Sequence, residues 1–304
     1  MSILVLDEHA VRSLLTMAEC IEAMDAILRS LARGELHQPL RQVTRPDGAD
    51  SLIGLMPAYR GGGRPVWSLK EIVVAPDNPA RGLDAHQGAV LLHDGETGEL
   101  RALLNASAIT EIRTAAVSAV ATRALARPDA RVVAILGAGV QARSHEGAMR
   151  AVLPGAKIRT WTRSDGGSAE AVLREADVVC TCTSAREPIL RHGWLAPGAH
   201  VNAVGSSVPS ARELDADTVA AATLVVDRRE SALNEAGDLL LAGFGEDRIA
   251  AELGEVLVGS HPGRTNSAEL TVFKSLGLAV EDLAAAELVV AKAREQGVGT
   301  EVDF

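Results

Sequence analysis

Aromatic side chains are scarce in this 304-residue chain: three Phe, three Trp and one Tyr, or 2% of residues. With so few rings the core must be built from Val, Leu, Ile and Ala, and the stacking platforms that grip single-stranded nucleic acid are excluded. Cysteine is nearly absent too. Cys20, Cys180 and Cys182 are odd in number and lack zinc-finger spacing, so they read as buried reduced thiols of a cytoplasmic protein. Cys180 and Cys182, two apart in a strand-like run, share one sheet face. No apolar run reaches the roughly 18 residues of a membrane span, and the start, MSILVLDEHAVRSLL, has no basic targeting region. Positive charge is in deficit: 30 Lys and Arg against 40 Asp and Glu, a net −10. That disfavours a nucleic-acid backbone as partner but leaves room for a local basic pocket. The eight His are scattered, with no H-E-x-x-H and no C-x-x-C, so no metal site is expected.

Hydrophobic residues, in contrast, make up 47% of the chain, ample for a core, and the length suggests two domains. Thr16 and Glu19 form a T-x-x-E capping box ahead of the apolar stripe Cys20, Ile21, Met24, Ile27, Leu28 and Leu31, and Gly34 stands where a C-terminal cap belongs. SLIGLMPAY and WSLKEIVVA read as strands, and the run from Gly82 to Asn105 as a hairpin turning at Asp94–Gly98. A long Ala-rich helix is expected over 108–126, stopped by Pro128. After it, RVVAILG, KIRTWT, DVVCTCT, HVNAVG and TLVVDR alternate with helical segments, the pattern of a doubly wound parallel sheet. A last helix, about 280–296, is expected to return to the first domain. The fold class is therefore α/β: a Rossmann-type dinucleotide-binding domain over 127–265, and a discontinuous α+β domain over 1–126 and 266–304 for substrate binding and dimerisation.

Gly137-Ala138-Gly139-Val140-Gln141-Ala142 fits G-x-G-x-x-G/A directly after an apolar strand and at the opening of a helix. Gly137 permits the tight turn, Gly139 lets the backbone approach a pyrophosphate, and Ala142 allows close helix–strand packing. The helix N-terminus supplies N–H groups and a positive dipole end for the phosphates. At the end of the next strand, where an NAD site usually places Asp or Glu, stand Thr162, Arg163 and Ser164. An Arg with hydroxyl neighbours suits a 2′-phosphate. NADP(H) is expected in preference to NAD(H), with Asp165 keeping NAD(H) open.

The segments KEIVVAPDNPARGLDAHQGAVLLHDGETGELRALLNASAITEIRTAA, ILGAGVQARSH, HVNAVGSS, VVDRRESALNEAGDL and ELGEVLVGSHPGRTNSAELTVFKSLGLAVEDL resemble the ornithine cyclodeaminase/mu-crystallin family over nearly the whole chain. The resemblance implies a homodimer and nicotinamide chemistry at the α-carbon of a small amino or imino acid. It assigns the substrate carboxylate to Arg41, Lys70 and Arg113, with Lys70 and Arg113 as catalytic residues. The chemistry agrees: a carboxylate suits a guanidinium fork, and a Lys inside an apolar strand needs a reason to be there. It also implies cofactor contacts from Val140, Gln141, Thr183, Asn202, Ala203, Val204 and Ser275. The substrate side chain is expected near Met56 and Leu276. Where family members often carry GLPT, this chain has Gly82-Leu83-Asp84-Ala85, without the hydroxyl that touches the nicotinamide.

Two further departures bear on function. The cyclodeaminases carry G-x-D-x-P-G-K-x-E-L, whose Asp works on the substrate amine. Here Ser207 replaces that Asp and Ala211 the Lys, as ketimine-reductase-like members have Ser in a similar setting. A neutral hydroxyl at the substrate cannot hold a cationic amine as a carboxylate does. Ser207 therefore favours reduction of a 2-imino acid of the Δ1-pyrroline-2-carboxylate or Δ1-piperideine-2-carboxylate type, or the related amino-acid dehydrogenation. Ornithine cyclodeamination to proline and ammonia is the alternative, and a non-catalytic NADP(H)-binding protein a third reading. Between Trp161 and Asp177 the family usually has about twice the residues, so the usual third Rossmann strand, on the adenine side, is expected to be missing. His86 is weighed as a residue near the active site, His145 as structural, and Asp227 as a loop or cap residue.

Overall fold

The computed structural model describes residues 2–303. In chain order the strands and helices are β1 (Ser2–Leu6), α1 (Glu8–Leu14), α2 (Met17–Ala32), β2 (Leu36–His37), β3 (Gln42–Thr44), β4 (Leu52–Arg60), β5 (Val66–Val74), β6 (His86–Asp94), β7 (Leu100–Asn105) and α3 (Ala106–Leu125). There follow β8 (Val132–Leu136), α4 (Val140–Val152), β9 (Lys157–Trp161), α5 (Glu170–Leu173), β10 (Val178–Thr181), β11 (His200–Ala203), α6 (Ala216–Ala221) and β12 (Thr223–Val226). The last are α7 (Arg229–Glu235), α8 (Gly237–Leu240), β13 (Ile249–Glu252), α9 (Leu253–Leu257), β14 (Thr271–Lys274), α10 (Ala279–Gln296) and β15 (Thr300–Asp303). The chain divides into two compact units. One runs to Arg113 and resumes at Leu278; the other is Thr114–Gly277.

The sequence boundaries at 126/127 and 265/266 differ from this division, for physical reasons. α3 is one unbroken helix that spans the observed division at 113/114 and ends at Leu125, so the sequence, which kept the helix whole, placed the boundary after it. At the second, β14 pairs in parallel with β11 and β12, so its segment belongs to the parallel sheet.

The first unit is an eight-stranded mixed sheet in the order β15-β1-β7-β6-β5-β4-β2, with β3 paired to β4. β5 shows why one face is covered: Ser68, Lys70 and Ile72 are buried, while Trp67, Glu71 and Val73 are exposed. This period of two puts 68, 70 and 72 on one face, and α10 packs against β4, β5 and β6. α2 opens as its sequence predicts, with Thr16 accepting from the Glu19 amide, and it packs on α10.

The second unit is a seven-stranded sheet, β13-β12-β14-β11-β10-β8-β9, parallel throughout. β9 is its edge: no strand follows it outward among the described residues, so the sheet is short on the adenine side. A single 3-10 turn at Arg163–Asp165 and the brief α5 separate β9 from β10. The strand order reverses between β8 and β10, and open α/β sheets bind ligands outside the strand ends at such a reversal.

Candidate active site

Within the second unit, the turn after β8 is shaped by close approach. Gly137 has φ +129°, and a Cβ there would lie 2.5 Å from the Cys182 carbonyl oxygen at the end of β10. Only glycine fits this position. Gly139, the residue before α4, differs: a Cβ there would meet nothing within 4 Å. The open space lies at the N-terminus of a 13-residue helix, where free amides and the helix dipole favour phosphate. Ala142 is buried and Val140 exposed. Gln141 Oε1 is buried without a hydrogen-bond partner among the described residues. An open glycine cradle, a helix start and an unsatisfied amide fit a dinucleotide.

At the end of β9 the Thr162 amide donates to Asp165 Oδ2 at 2.7 Å, and the Thr162 and Ser164 hydroxyls bond at 2.6 Å. The carboxylate that a ribose diol would use is thus turned back onto the backbone, while Arg163 is exposed.

Glu213, which the sequence reading did not single out, organises the ends of β10 and β11. It is fully buried and accepts from Thr181 Oγ1 (2.7 Å), the Thr183 amide (2.8 Å), Thr183 Oγ1 (2.6 Å) and the Gly205 amide (2.8 Å). Burial raises its pKa. Gly205 leaves no room for a side chain, since a Cβ would sit 2.1 Å from the Thr183 carbonyl oxygen. Asp238 Oδ1 accepts from the Glu213 and Leu214 amides at 2.7 and 2.9 Å, and Lys274 Nζ reaches Asp238 Oδ2 at 2.9 Å. The signal was present in the R-E-L segment, but an acid in sequence gives no hint that it lies in a strand-end loop.

The other expected cofactor residues lie in this same region. The Thr183 hydroxyl donates to Glu213. The Asn202 side chain is buried, donating to Thr122 Oγ1 at 2.9 Å and held by His200 at 3.2 Å, so a ligand would meet the backbone here. Ala203 and Val204 are buried, and the buried Ser275 donates its amide to the Ala203 carbonyl. Ser207 is exposed. Leu276 is buried and its amide donates to Asp227 Oδ2 at 2.6 Å, so Asp227 acts as a cap. His145 is buried between the Gln141 carbonyl and Ser118 Oγ, a structural placement.

The first unit brings together the predicted cations. Lys70 Nζ lies 2.7 Å from Asp282 Oδ2 and 3.4 Å from Thr110 Oγ1. Arg113 donates from Nε to Asp282 Oδ1 at 3.0 Å and from Nη1 to Glu281 Oε2 at 2.7 Å. All four charged side chains are at most 5% exposed. Two of the three Arg113 nitrogens are thus committed to acids, which sequence reasoning missed because both partners lie about 170 positions away. Burial pushes Lys70 down to about 8, against the pull of Asp282; Arg113 and Arg41 push it further down. Arg41, half-buried before β3, is therefore near this group. Met56 is the cross-strand partner of Lys70. Desolvation lowers the His86 imidazole, and the charges of Lys70 and Arg113 add to it. Among the described residues no group of three or more His, Cys, Asp or Glu could hold a metal ion, and no helix is long and apolar enough to cross a membrane.

The sequence matches the ornithine cyclodeaminase/mu-crystallin family over residues 1–174 and 166–297, the two stretches meeting within the shortened 161–177 segment. The mouse ketimine reductase mu-crystallin is 40% identical over 288 residues, 88% of this chain and 90% of that protein. The structure of Thermococcus litoralis Δ1-pyrroline-2-carboxylate reductase, in complex with NADH and L-proline, superposes with a TM-score of 0.92 at 36% identity, covering 99% of this chain and all of that one. An archaeal alanine dehydrogenase dimer with bound NAD superposes at 0.93 with 29% identity, covering both chains fully.

Proposed function

The chain belongs to the ornithine cyclodeaminase/mu-crystallin family, and we propose that it reduces the C=N bond of a small 2-imino acid with a reduced nicotinamide dinucleotide. The observation that carries this reading is the buried cation set of Lys70 and Arg113 beside Arg41. These groups hold the substrate carboxylate and fix the face that the C=N bond presents. The nicotinamide, when bound, supplies the hydride. The chain's part is to hold the pyrophosphate at Gly137, Gly139 and the start of α4, and the 2′-phosphate at Thr162, Arg163 and Ser164. Lys70, with a pKa of about 8, is charged at neutral pH and has a proton to give to the substrate nitrogen.

Substrates of the Δ1-pyrroline-2-carboxylate and Δ1-piperideine-2-carboxylate type fit this scheme, as does reversible dehydrogenation of an open-chain amino acid. Relatives bound to NADH, proline or NAD support the class. The preference for NADP(H) rests on Arg163 and on the inward turn of Asp165. A homodimer is supported by a partly exposed apolar row on one sheet face of the first unit. Cross-strand partners Pro57, Leu69, Leu91, Leu103 and Val5 form this row, with Trp67 and Val73 exposed nearby. Three free buried thiols fit a reducing compartment.

The test is a panel of cyclic and open-chain 2-imino acids assayed with NADPH and NADH. Oxidation of NADPH, faster than NADH, is expected. Cofactor binding without turnover on the whole panel would leave a dinucleotide-binding protein instead. Proline and ammonia from ornithine with catalytic NAD would establish cyclodeamination, whereas gain of that activity only in Ser207→Asp would assign it to the missing carboxylate.

A further inference from the structure

We propose that Asp282 is the positioning residue of the carboxylate pocket, holding the Lys70 ammonium with one oxygen and Arg113 Nε with the other. The inference rests on the reading of Lys70 and Arg113 as substrate-carboxylate anchors. Neither cation has a fixed place of its own. Lys70 enters from the middle of β5 and Arg113 from α3, and each long side chain has several rotatable bonds. Asp282, on the first turn of α10, meets both at 2.7 and 3.0 Å. Its short side chain is fully buried, and it joins three elements into one arrangement. Glu281 fixes the other side of Arg113 at 2.7 Å and accepts the Leu278 amide at 3.1 Å, so Arg113 cannot swing away. The two cations and two carboxylates of this cluster balance.

A buried ion pair of this kind is a poor source of stability, since apolar side chains of similar volume do as well or better. The chain's usage of bases points the same way. Of its 30 basic residues only Lys70, Lys157, Lys274 and Lys292 are Lys. Arg serves almost everywhere else, yet position 70 keeps the base that is able to lose its proton. The groups that face Lys70 are Asp282 on α10, Arg113 and Thr110 on α3, Arg41 before β3, and His86 at the start of β6; Glu281 on α10 pairs with Arg113, and Cys20 on α2 lies beside Arg113 and Glu281. Among the carboxylates of the described residues, Asp282 is the one shown to touch the ammonium and favour its charged form. Removing that carboxylate leaves burial and two neighbouring guanidiniums unopposed, so Lys70 should lose its proton at lower pH.

Four lysines make the test direct. The full chain is labelled with 13C at lysine Cε, the Lys70 signal is assigned by its loss in Lys70→Arg, and the signal is titrated from about pH 6 to about pH 11. In the unaltered chain a midpoint near 8 is expected. Asp282→Asn should lower it by about one unit or more, and Asp282→Glu should return it to within about half a unit. An unchanged or raised midpoint in Asp282→Asn overturns the proposal. This readout needs no turnover, so it stands apart from the imine-reductase reading, which fails on its own if the unaltered chain reduces no imine. The kinetic arm uses Asp282→Glu, which keeps the charge and also serves should the Asn variant not fold. A displacement of about one methylene should raise KM for the imino acid roughly tenfold with kcat within about threefold. A KM equal to that of the unaltered chain overturns the positioning role.

Discussion

Gly137 and Gly139 stand two residues apart and are glycine for different reasons, which separates fold from binding experimentally. A methyl group at Gly137 collides with the Cys182 carbonyl at 2.5 Å and with a positive φ, so Gly137→Ala should lower unfolding stability by roughly 2–3 kcal/mol. At Gly139 the same methyl meets open space in the free protein. Gly139→Ala should leave the melting temperature within about 2 °C while weakening cofactor binding about tenfold or more, because the backbone can no longer approach the pyrophosphate. Calorimetric melting beside a cofactor titration checks both, and equal melting losses would sink the distinction. Lys70 yields the second prediction at this scale. Its ammonium must be charged to hold a carboxylate, and it loses its proton at about 8, so kcat/KM should be level below about pH 7.5 and fall through an apparent pKa near 8. Lys70→Met should abolish that limb and cut kcat/KM by at least about a hundredfold. The glycines and Lys70 were legible in the sequence because each breaks a local rule: a turn no other residue can make, and a base inside an apolar strand. Asp282 and Glu213 were not. An acid in a helix or loop breaks no rule until its long-range partner is placed.

At the scale of elements, the proposed preference for NADP(H) rests on β9 and the loop after it. The sequence predicted both this strand and the missing one beyond it, since the fifteen residues between Trp161 and Asp177 leave room for one helix and no more. The direction of Asp165 was not predictable. Its carboxylate caps the Thr162 amide at 2.7 Å, a local turn that competes with any ligand for the same oxygen. With Asp165 so engaged, Arg163→Ser should raise KM for NADPH about tenfold or more and leave KM for NADH within about twofold. If both change equally, Arg163 does not read the 2′-phosphate. Helix ends and hairpins were legible to within one or two residues, because caps and turns are local. The domain boundaries were displaced, because a strand such as β14 declares its sheet only by pairing, and pairing is not a local property.

The whole molecule carries an acid sensitivity concentrated in its second unit. His145 and His200 are both fully buried there, and burial pushes them down to about 4 and about 3. His145 is held by the Gln141 carbonyl and Ser118 Oγ, His200 by Thr271 Oγ1 and Asn202 Oδ1. Among the described residues no acid contributes to either imidazole. In the unfolded chain each imidazole binds a proton near its ordinary 6.5. Between 6.5 and the depressed values the unfolded state holds more protons than the folded one, so stability is complete above about 6.5 and is lost as the pH falls. At pH 5 each His should have cost about 2 kcal/mol, some 4 kcal/mol for the pair. Trp161 and Trp194 belong to this unit, so urea unfolding followed by tryptophan fluorescence at pH 7 and pH 5 reads the loss. His145→Gln cannot titrate, and should remove about half of the difference while lowering stability at pH 7 through its poorer fit. A pH difference unaffected by that substitution would move the origin of the acid sensitivity away from His145 and onto carboxylates whose pKa the fold lowers, such as Asp177 and Glu269.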